Sequence, residues 1–357
     1  MKYRHSEILA SSDLGPSGTI VRDIDVADPI SRITLRHEPI AGSMIPAEHP
    51  VANIIRFEII NGSDVLYGLT GQIGHGLNIF DKSNLPINQI LITTGNTSII
   101  VVNIDFGRFL WDEELAFVPT HFKNPQWRLT WNEANYNAAC VSHSFNLWGH
   151  CFDEKSVSPV GFLSAKEIKA YVPVAGGFEY TDLPTDHPIR KLIVQPYRLA
   201  GGPRGIVDQY KLSEDNDKRI LFDGDLNFLR SWLDNQQGVC EDYMLINAPL
   251  AGRAAYATAS QLNNVSAVNN TATNAIACVP AGNQVTVTPA TAAANVLVRA
   301  SGVNPHACVC FPFGRQELID DWYDVAAKGN IKLRLRGGPA ALATDTVRIA
   351  VQQIRRY

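Results

Sequence analysis

The chain has 357 residues, of which 45% are hydrophobic and 18% charged, and its formal net charge is −4. So much apolar material excludes a disordered chain and suits two domains of about 150–180 residues each. The charge gives no overall attraction to nucleic acid or anionic membranes, and without a run of about 18 apolar residues no membrane span is predicted. Residues 1–7 lack the apolar core of a signal peptide, and the six cysteines include no Cys-x-x-Cys pair. We therefore expect an intracellular globular protein without a disulfide framework.

Strand signals recur along the whole chain. Near-continuous apolar runs occur at Ile90–Ile92 and Ile99–Val102. Apolar and polar residues alternate strictly at Trp127–Asn132, Ile331–Arg336 and Val347–Gln352. Many short strands separated by Gly, Pro, Asn and Asp are typical of a sandwich or barrel, so the sequence predicts an all-β protein.

A few segments have the spacing of an amphipathic helix, namely Phe109–Val118, Asp225–Asn235 and Glu317–Lys328. Gly74-His75-Gly76 and Gly201–Gly205 are rich in glycine, but neither has the Lys-Ser/Thr that a phosphate-binding loop needs. We interpret these two glycine-rich segments as loops.

The chain also contains an internal repeat. Asp28–Leu35 resembles His187–Val194, since each is a turn proline followed by a strand. Further along, Val65-Leu66-Tyr67 resembles Ile220-Leu221-Phe222. The repeat predicts two similar all-β units.

A second landmark of the repeat is a Phe-Gly-Arg tripeptide that follows an apolar strand and precedes a predicted helix and an alternating strand. It occurs at Ile104–Arg108 and again at Phe311–Arg315. We expect its glycine to permit a sharp turn and its phenylalanine to anchor the turn in the core, while an interface role for the arginines stays open. The residues concerned are Phe106, Gly107, Arg108, Phe313, Gly314 and Arg315.

The spacing between the landmarks is longer in the second copy, and composition places the extra residues at Asn247–Asn304. Arg253 and Arg299 are the only charged residues of this stretch. A disordered low-complexity linker is one interpretation. An ordered projecting loop or small tower is the other, favoured by its strand-forming valines, which include Val285, Val287, Val296 and Val298.

The repeat and the insertion together resemble a double jelly-roll major capsid protein of tailless icosahedral viruses, often membrane-containing, of bacteria or archaea. The resemblance implies two consecutive eight-stranded jelly rolls, each with a short helix before its last strands. We expect an N-terminal arm at residues 1–14, a first jelly roll at 15–178 and a second at 179–357. The stretch at about 247–304 would be a tower inserted in the second roll.

The resemblance further implies that three copies form a pseudo-hexagonal capsomer and that capsomers tile the virion shell, with no catalysis, cofactor or metal. The chain would be made in the host cytoplasm and located in the virion capsid. Its partners would be further copies, penton or minor capsid proteins and an internal lipid membrane, with no sequence-specific contact to nucleic acid. In the family both termini tend toward the capsid interior, so the basic ends would face a membrane or a neighbour, unless they are frayed tails. These basic residues are Lys2, Arg4, Arg355 and Arg356.

A different class, a two-domain β-sandwich carbohydrate-binding protein or glycoside hydrolase, would need facing carboxylates. Asp112-Glu113-Glu114 and Asp320-Asp321 lie at predicted helix starts, where helix capping explains them. Glu214–Asp217 lacks the Gly and terminal Glu of a calcium loop and favours a polar hairpin turn. A third class, a phage spike, would have a fibrous repeat, and the sequence has none.

A cluster of cysteine and histidine superficially suggests zinc. It consists of Cys140, His143, His150 and Cys151. Strand alternation places His143 on the face opposite Cys140 and His150, so the pattern favours a structural strand with buried thiols.

Overall fold

The computed structural model describes residues 2–42, 46–82, 89–92, 95–248, 251–269, 276–290, 293–326 and 328–357. Strands dominate these residues, so the all-β prediction is confirmed. The elements of the first part of the chain are β1 (Tyr3–Asp13), β2 (Ser17–Asp23), β3 (Ile30–Ile40), β4 (Ile54–Asn61), β5 (Asp64–Leu69), α1 (Gly71–Lys82), β6 (Ile90–Ile92), β7 (Ile100–Asp105), β8 (Pro125–Asn132) and β9 (Ser142–Phe152).

The elements of the second part are β10 (Gly161–Tyr171), β11 (Phe178–Asp182), β12 (Ile189–Tyr197), α2 (Pro203–Ile206), β13 (Val207–Glu214), β14 (Arg219–Asp225), α3 (Leu226–Gln237), β15 (Cys240–Ala248), β16 (Arg253–Tyr256), β17 (Ala259–Asn269), β18 (Ile276–Ala281), β19 (Gln284–Pro289), β20 (Ala293–Pro305), β21 (Val309–Pro312), β22 (Ile331–Gly337) and β23 (Thr346–Arg356). Short 3₁₀ helices occupy Pro50–Asn53, Pro119–His121, Glu133–Asn135 and Ile319–Asp321.

The strand order is that of two jelly rolls. In the first roll, the sheet β1-β9-β3-β7 faces the strands β2-β8-β4-β5. In the second roll, β10-β23-β12-β21 faces β11-β22-β13-β14, which is the same order with each strand replaced by its counterpart. The sequence landmarks mark these counterparts correctly, since Pro29 and Pro188 precede β3 and β12, and the two Phe-Gly-Arg tripeptides follow β7 and β21.

The two rolls are joined by backbone pairing. Strand β5 pairs in parallel with β10 through Gly68 and Lys166, so half of each roll belongs to one continuous eight-stranded sheet. The apolar cores stay largely separate. One cluster fills the first roll and reaches into the insertion, and a second cluster fills the second roll.

Strands β15–β20, which we call the insertion, lie between β14 and β21 of the second roll. They form the sheet β17-β20-β15-β6 and the small sheet β16-β19-β18. Alternate valines such as Val285 and Val296 are buried between these sheets, which is why the described part of this low-charge stretch is ordered. Strand β6 comes from the corresponding connection of the first roll and runs parallel to β15, so both rolls contribute to one sheet.

Two of the three helix predictions are wrong. Residues 109–118 and the described residues of 317–328 form turns and short 3₁₀ segments. Only the prediction at Asp225–Asn235 is confirmed, since α3 begins at Leu226 with Asp225 as its N-cap. Trp111 adopts a left-handed conformation with φ of 69°, which a helix cannot contain. Instead, Leu115 and Trp322 from these turns pack on Leu163 and Ile354. The regularly spaced apolar residues of these segments are therefore buried in the contact between the two rolls and not on the face of a helix.

The interpretation of Gly74-His75-Gly76 as a loop is also wrong, because these residues lie within α1. A Cβ atom on Gly74 would overlap the ring of Phe57, and one on Gly76 would lie 3.2 Å from the sulfur of Cys308. The glycines allow the helix to approach both rolls closely.

The expected arm at residues 1–14 is instead strand β1, which pairs with β9 from Tyr3 opposite Phe152 and buries Leu9. The expected boundary at 178/179 falls at the start of β11. Because β10 pairs with β23 from Gly161 opposite Arg356, the second roll begins near residue 161.

Candidate assembly surfaces

The chain termini and the Phe-Gly-Arg turns share one end of the rolls, which we call the base. It comprises residues 2–4, 106–124, 153–160, 313–330 apart from 327, and 355–357. The ring of Tyr3 lies 4.4 Å from that of Trp111, and the ring of Tyr357 lies 4.4 Å from that of His121. Since β14 leads away from this end and β21 returns to it, strand direction places the insertion at the opposite end.

The first Phe-Gly-Arg turn is an internal clamp. Phe106 is fully buried and stacks on Phe117 with ring centroids 5.0 Å apart. The guanidinium of Arg108 donates to both carboxylate oxygens of Asp112 at 2.7 and 2.9 Å, and to the main-chain oxygen of Glu317 at 2.6 Å. Arg108 thus ties the turn of the first roll to that of the second.

The negative charge of this clamp is the carboxylate of Asp112, which pairs with Arg108. Burial by itself would raise the pKa of its carboxyl, but hydrogen bonds from the side chain and the backbone N–H of Arg108 outweigh burial and hold that pKa below its usual value. A Cβ atom on Gly107 would lie 2.6 Å from the Cβ of Asp112, so glycine permits the close approach. These contacts fix the conformation of the turn.

The second Phe-Gly-Arg turn is more open. Phe313 is half-buried against Tyr323, at 5.1 Å between ring centroids, and Arg315 is 70% exposed although paired with Asp321. Gly314 has a φ of 63°, and a Cβ atom there would overlap the main-chain oxygen of Asp321. Of the two arginines, only Arg315 is accessible to another molecule.

The four basic residues of the chain ends differ in their pairing. Arg4 forms ion pairs with Asp28 and, at 3.6 Å, with Asp153. Arg355 donates to Asp64 at 2.7 Å. Lys2 and Arg356 are exposed.

The sheet edges are a further surface, which sequence reasoning missed. Strands β1 and β14 each end a four-stranded sheet, so each presents unpaired backbone groups. Beside β14 lies a groove of about 330 Å³ lined by aromatic side chains. These are Phe222, Trp232, Phe311 and Phe313. The signal was available in the sequence, because three of these phenylalanines belong to the repeat landmarks.

The structure does not bring the candidate metal ligands together. His143 faces Glu133 at 3.9 Å, whereas His150 lies 2.9 Å from the hydroxyl of Thr34. Burial, followed by the charge of Glu133, raises the pKa of Cys140 to about 12. Within the described ranges, no group of three or more His, Cys, Asp or Glu side chains is placed to hold a metal ion.

The candidate carboxylates have structural contacts. Glu113 pairs with Lys155 and Glu114 with Arg108. Residues 215–217 form the β13–β14 hairpin turn, all with positive φ, and Glu214 accepts from the hydroxyl of Tyr323 at 2.7 Å. In the part of the chain that the structure describes, no helix is long and apolar enough to cross a membrane.

Comparison with solved structures was informative where sequence comparison was not. No protein-family model and no curated protein matches the sequence. The crystal structure of the major capsid protein of Sulfolobus turreted icosahedral virus matches with a TM-score of 0.61 at 10% identity, over 99% of this chain and 96% of the other. This chain has the fold of a double jelly-roll capsid protein. Major capsid protein P2 of bacteriophage PM2 matches with a TM-score of 0.54 at 9% identity, over 99% and 98%. VP54 of PBCV-1 matches with 0.57 at 9%, over 99% and 93%.

Proposed function

We propose that this chain is a major capsid protein that works without catalysis. Three copies would form a pseudo-hexagonal homotrimeric capsomer, and capsomers would tile an icosahedral virion shell. The proposal rests on the contact between the two rolls of one chain. Inside the chain this contact covers one edge strand of each roll, whereas the counterparts of these two strands are open at the outer edges of the chain.

Within the chain, β5 of the first roll lies beside β10, the first strand of the second roll. The counterpart of β5 is β14, and the counterpart of β10 is β1. If the same contact forms between chains, β14 of one copy lies beside β1 of the next. Repeating one rotation from roll to roll closes a ring, and six rolls from three copies make the expected pseudo-hexagon while pairing every such edge.

The register of this contact follows from the repeat. The N–H of Phe152 donates to the oxygen of Pro29, as the N–H of Ile354 donates to that of Pro188, so Tyr3 opposite Phe152 corresponds to Leu163 opposite Ile354. Ser6 therefore corresponds to Lys166. The β4–β5 and β13–β14 pairs share the same register, including the irregularity, so Gly68 corresponds to Asp223. Since Gly68 pairs with Lys166 within the chain, the proposal places Asp223 beside Ser6 of a neighbouring copy.

Exposure of apolar side chains near β14 supports this contact. Ile220 is 50% exposed and lines the aromatic groove, and Phe228, which lies beside Gly224 of β14, is 63% exposed. Protein interfaces are enriched in aromatic and apolar side chains at their centre. Burial of this surface by a second copy would remove the apolar area from water.

The proposal also assigns the two ends of the rolls. The insertion would be the outward tower, and the base would face the capsid interior, where a membrane, a penton or a minor capsid protein would bind. Because Arg4 and Arg355 are paired with aspartates, attraction to anionic lipid would depend on Lys2 and Arg356. Synthesis in the host cytoplasm is part of the same proposal.

The solution mass of the purified chain tests the proposal, followed by negative-stain imaging of the same sample. The expected result is a stable species of three chains with a hexagonal outline. The variant Ile220→Lys, on β14, should reduce it to monomers, whereas Val21→Lys, on the distant edge strand β2, should leave it trimeric. A wild-type monomer at every concentration would contradict the proposal.

A further inference from the structure

Three histidines from three separate segments meet in the interior. His49 precedes the 3₁₀ helix Pro50–Asn53, His75 lies on α1, and His306 follows β20 of the insertion. Nδ1 of His75 is 2.7 Å from Nε2 of His306, and the ring of His49 is 4.8 Å from that of His306. All three side chains are at most 1% exposed. We call these residues the histidine cluster.

The histidine cluster occupies the joint between the rolls and the insertion. The main-chain N–H of His306 donates to the oxygen of Thr258, the residue before β17, over 2.7 Å. Its main-chain oxygen accepts from Gln195 of the second roll at 3.0 Å. Nε2 of His49 lies 3.4 Å from the hydroxyl of Thr258. The histidine cluster therefore lies among the contacts that tie the insertion to both rolls.

The charged groups around the histidine cluster are engaged with other partners. Asp242 on β15 accepts from the hydroxyl of Thr258 at 2.9 Å. Glu48 accepts from Tyr197 and Gln72. Other neighbours that carry titratable or charged groups are Arg348, which donates to Gln195 at 3.4 Å, the buried thiols of Cys308 and Cys310, and the buried phenol of Tyr256.

The hydrogen bonds of the cluster require neutral rings. In the short contact between His75 and His306 one nitrogen donates and the other accepts, so the contact cannot survive when both nitrogens carry protons. Nδ1 of His306 has no hydrogen-bond partner among the described residues. Burial, with the neighbouring imidazoles, holds the pKa of His49 and of His306 well below the usual value.

We propose that the histidine cluster is an acid-sensitive joint, which loosens the insertion and α1 from the rolls when its imidazoles take up protons. Protonation would place like charges on rings about 5 Å apart in an interior that cannot solvate them. The proposal does not depend on the capsid function.

His37 provides a natural contrast. It is as deeply buried as the histidine cluster, but its Nε2 lies 3.2 Å from a carboxylate oxygen of Glu133 and 3.2 Å from Asn53. His37 is thus a buried histidine that has a carboxylate as its direct partner.

The sign of the pH effect follows from the two kinds of group. Because the folded-state pKa values of His49 and His306 are lowered, their contribution to stability is present above the unfolded value of about 6.5 and is lost as the pH falls below it. Asp242, whose pKa burial raises to about 6, takes up its proton in the folded state and acts in the opposite direction, as does Glu48. The histidine contribution is therefore isolated by comparing variants at the same pH.

Hydrogen exchange of the full chain at pH 7.5 and 5.5, expressed as protection factors, tests this joint. Protection of α1 and of β17 and β20 should fall about tenfold per pH unit for each proton taken up, while β12 and β22 of the second roll change little. The variant His75→Gln/His306→Asn should show a much weaker pH response, because only His49 of the cluster remains. Asparagine tolerates the φ of 50° at position 306. The control His37→Asn should retain the full response.

Two results would contradict the proposal that the histidine cluster is acid-sensitive. One is equal protection of α1, β17 and β20 in the wild type at both pH values, which needs no variant at all. The other is an unchanged pH response in His75→Gln/His306→Asn. If that variant fails to fold, His49→Asn replaces it, and a full wild-type response in that variant has the same meaning.

Discussion

Strands β5 and β14 occupy the same place in their two rolls but have different surroundings. Leu66 and Tyr67 on β5 are at most 1% exposed, with the second roll alongside. Their counterparts Leu221 and Phe222 on β14 are only half-buried, beside an open aromatic groove. The comparison indicates that β5 is covered by the second roll of the same chain, whereas β14 is left open for contact with another molecule.

A pair of double-cysteine variants gives the largest expected effect. Gly68→Cys/Lys166→Cys should cross-link within one chain, because these residues already pair, whereas Ser6→Cys/Asp223→Cys should cross-link between chains. Non-reducing electrophoresis of oxidised samples should show a single-chain band for the first and multimers for the second. An intramolecular product from the second variant would refute the equivalence of the two contacts.

The two Phe-Gly-Arg turns should respond unequally to loss of their arginine. Arg108→Ala leaves the carboxylate of Asp112, whose side chain is 1% exposed, without its main partner and should cost about 3 kcal/mol of unfolding free energy. Arg315→Ala removes an exposed ion pair and should leave monomer stability unchanged. Chemical denaturation of both variants measures the difference, and equal losses would mean that the clamp in the first roll has no special role.

Truncation of the counterpart leucines should cost less on the open side. Leu66→Ala should lower the unfolding free energy by about 2–5 kcal/mol, because it leaves a cavity in a packed core. Leu221→Ala should cost roughly half as much in the monomer, since its side chain is already partly in water. If urea titrations of the two variants give the same midpoint, β14 is as well packed as β5.

The smallest expected effect is a change of pH dependence at Asp112. In the wild type the lowered pKa of this carboxyl contributes stability above its unfolded value of about 3.9, and that contribution is lost as the pH falls through the folded-state value. In Arg108→Ala the side-chain hydrogen bonds and charge of Arg108 are lost while burial and the backbone donors remain, so the pKa of Asp112 rises. The deficit relative to the wild type should therefore shrink between pH 7 and pH 4. Denaturation at the two pH values checks this, and a constant deficit would assign it to lost packing.

Where sequence reasoning failed, the cause was contact between distant segments. The spacing of apolar residues in 109–118 and 317–328 is that of an amphipathic helix. In the structure, however, Leu115 and Trp322 pack in the contact between the two rolls. The glycines of α1 resemble a loop, yet they allow a helix to pack closely against Phe57 and Cys308. Helical periodicity reports only the spacing of apolar residues and not the partner that buries them.

The sequence by itself determined the all-β class and the equivalence of the two units. Strand alternation and turn residues act over a few neighbours, and a repeated order of such signals carries the topology with it. The tertiary structure alone decided that residues 3–13 complete a sheet, that β14 stays open while β5 is covered, and that His49, His75 and His306 meet. These features depend on which distant surfaces pack together, and that is set by the shape and burial of whole sheets rather than by any local pattern.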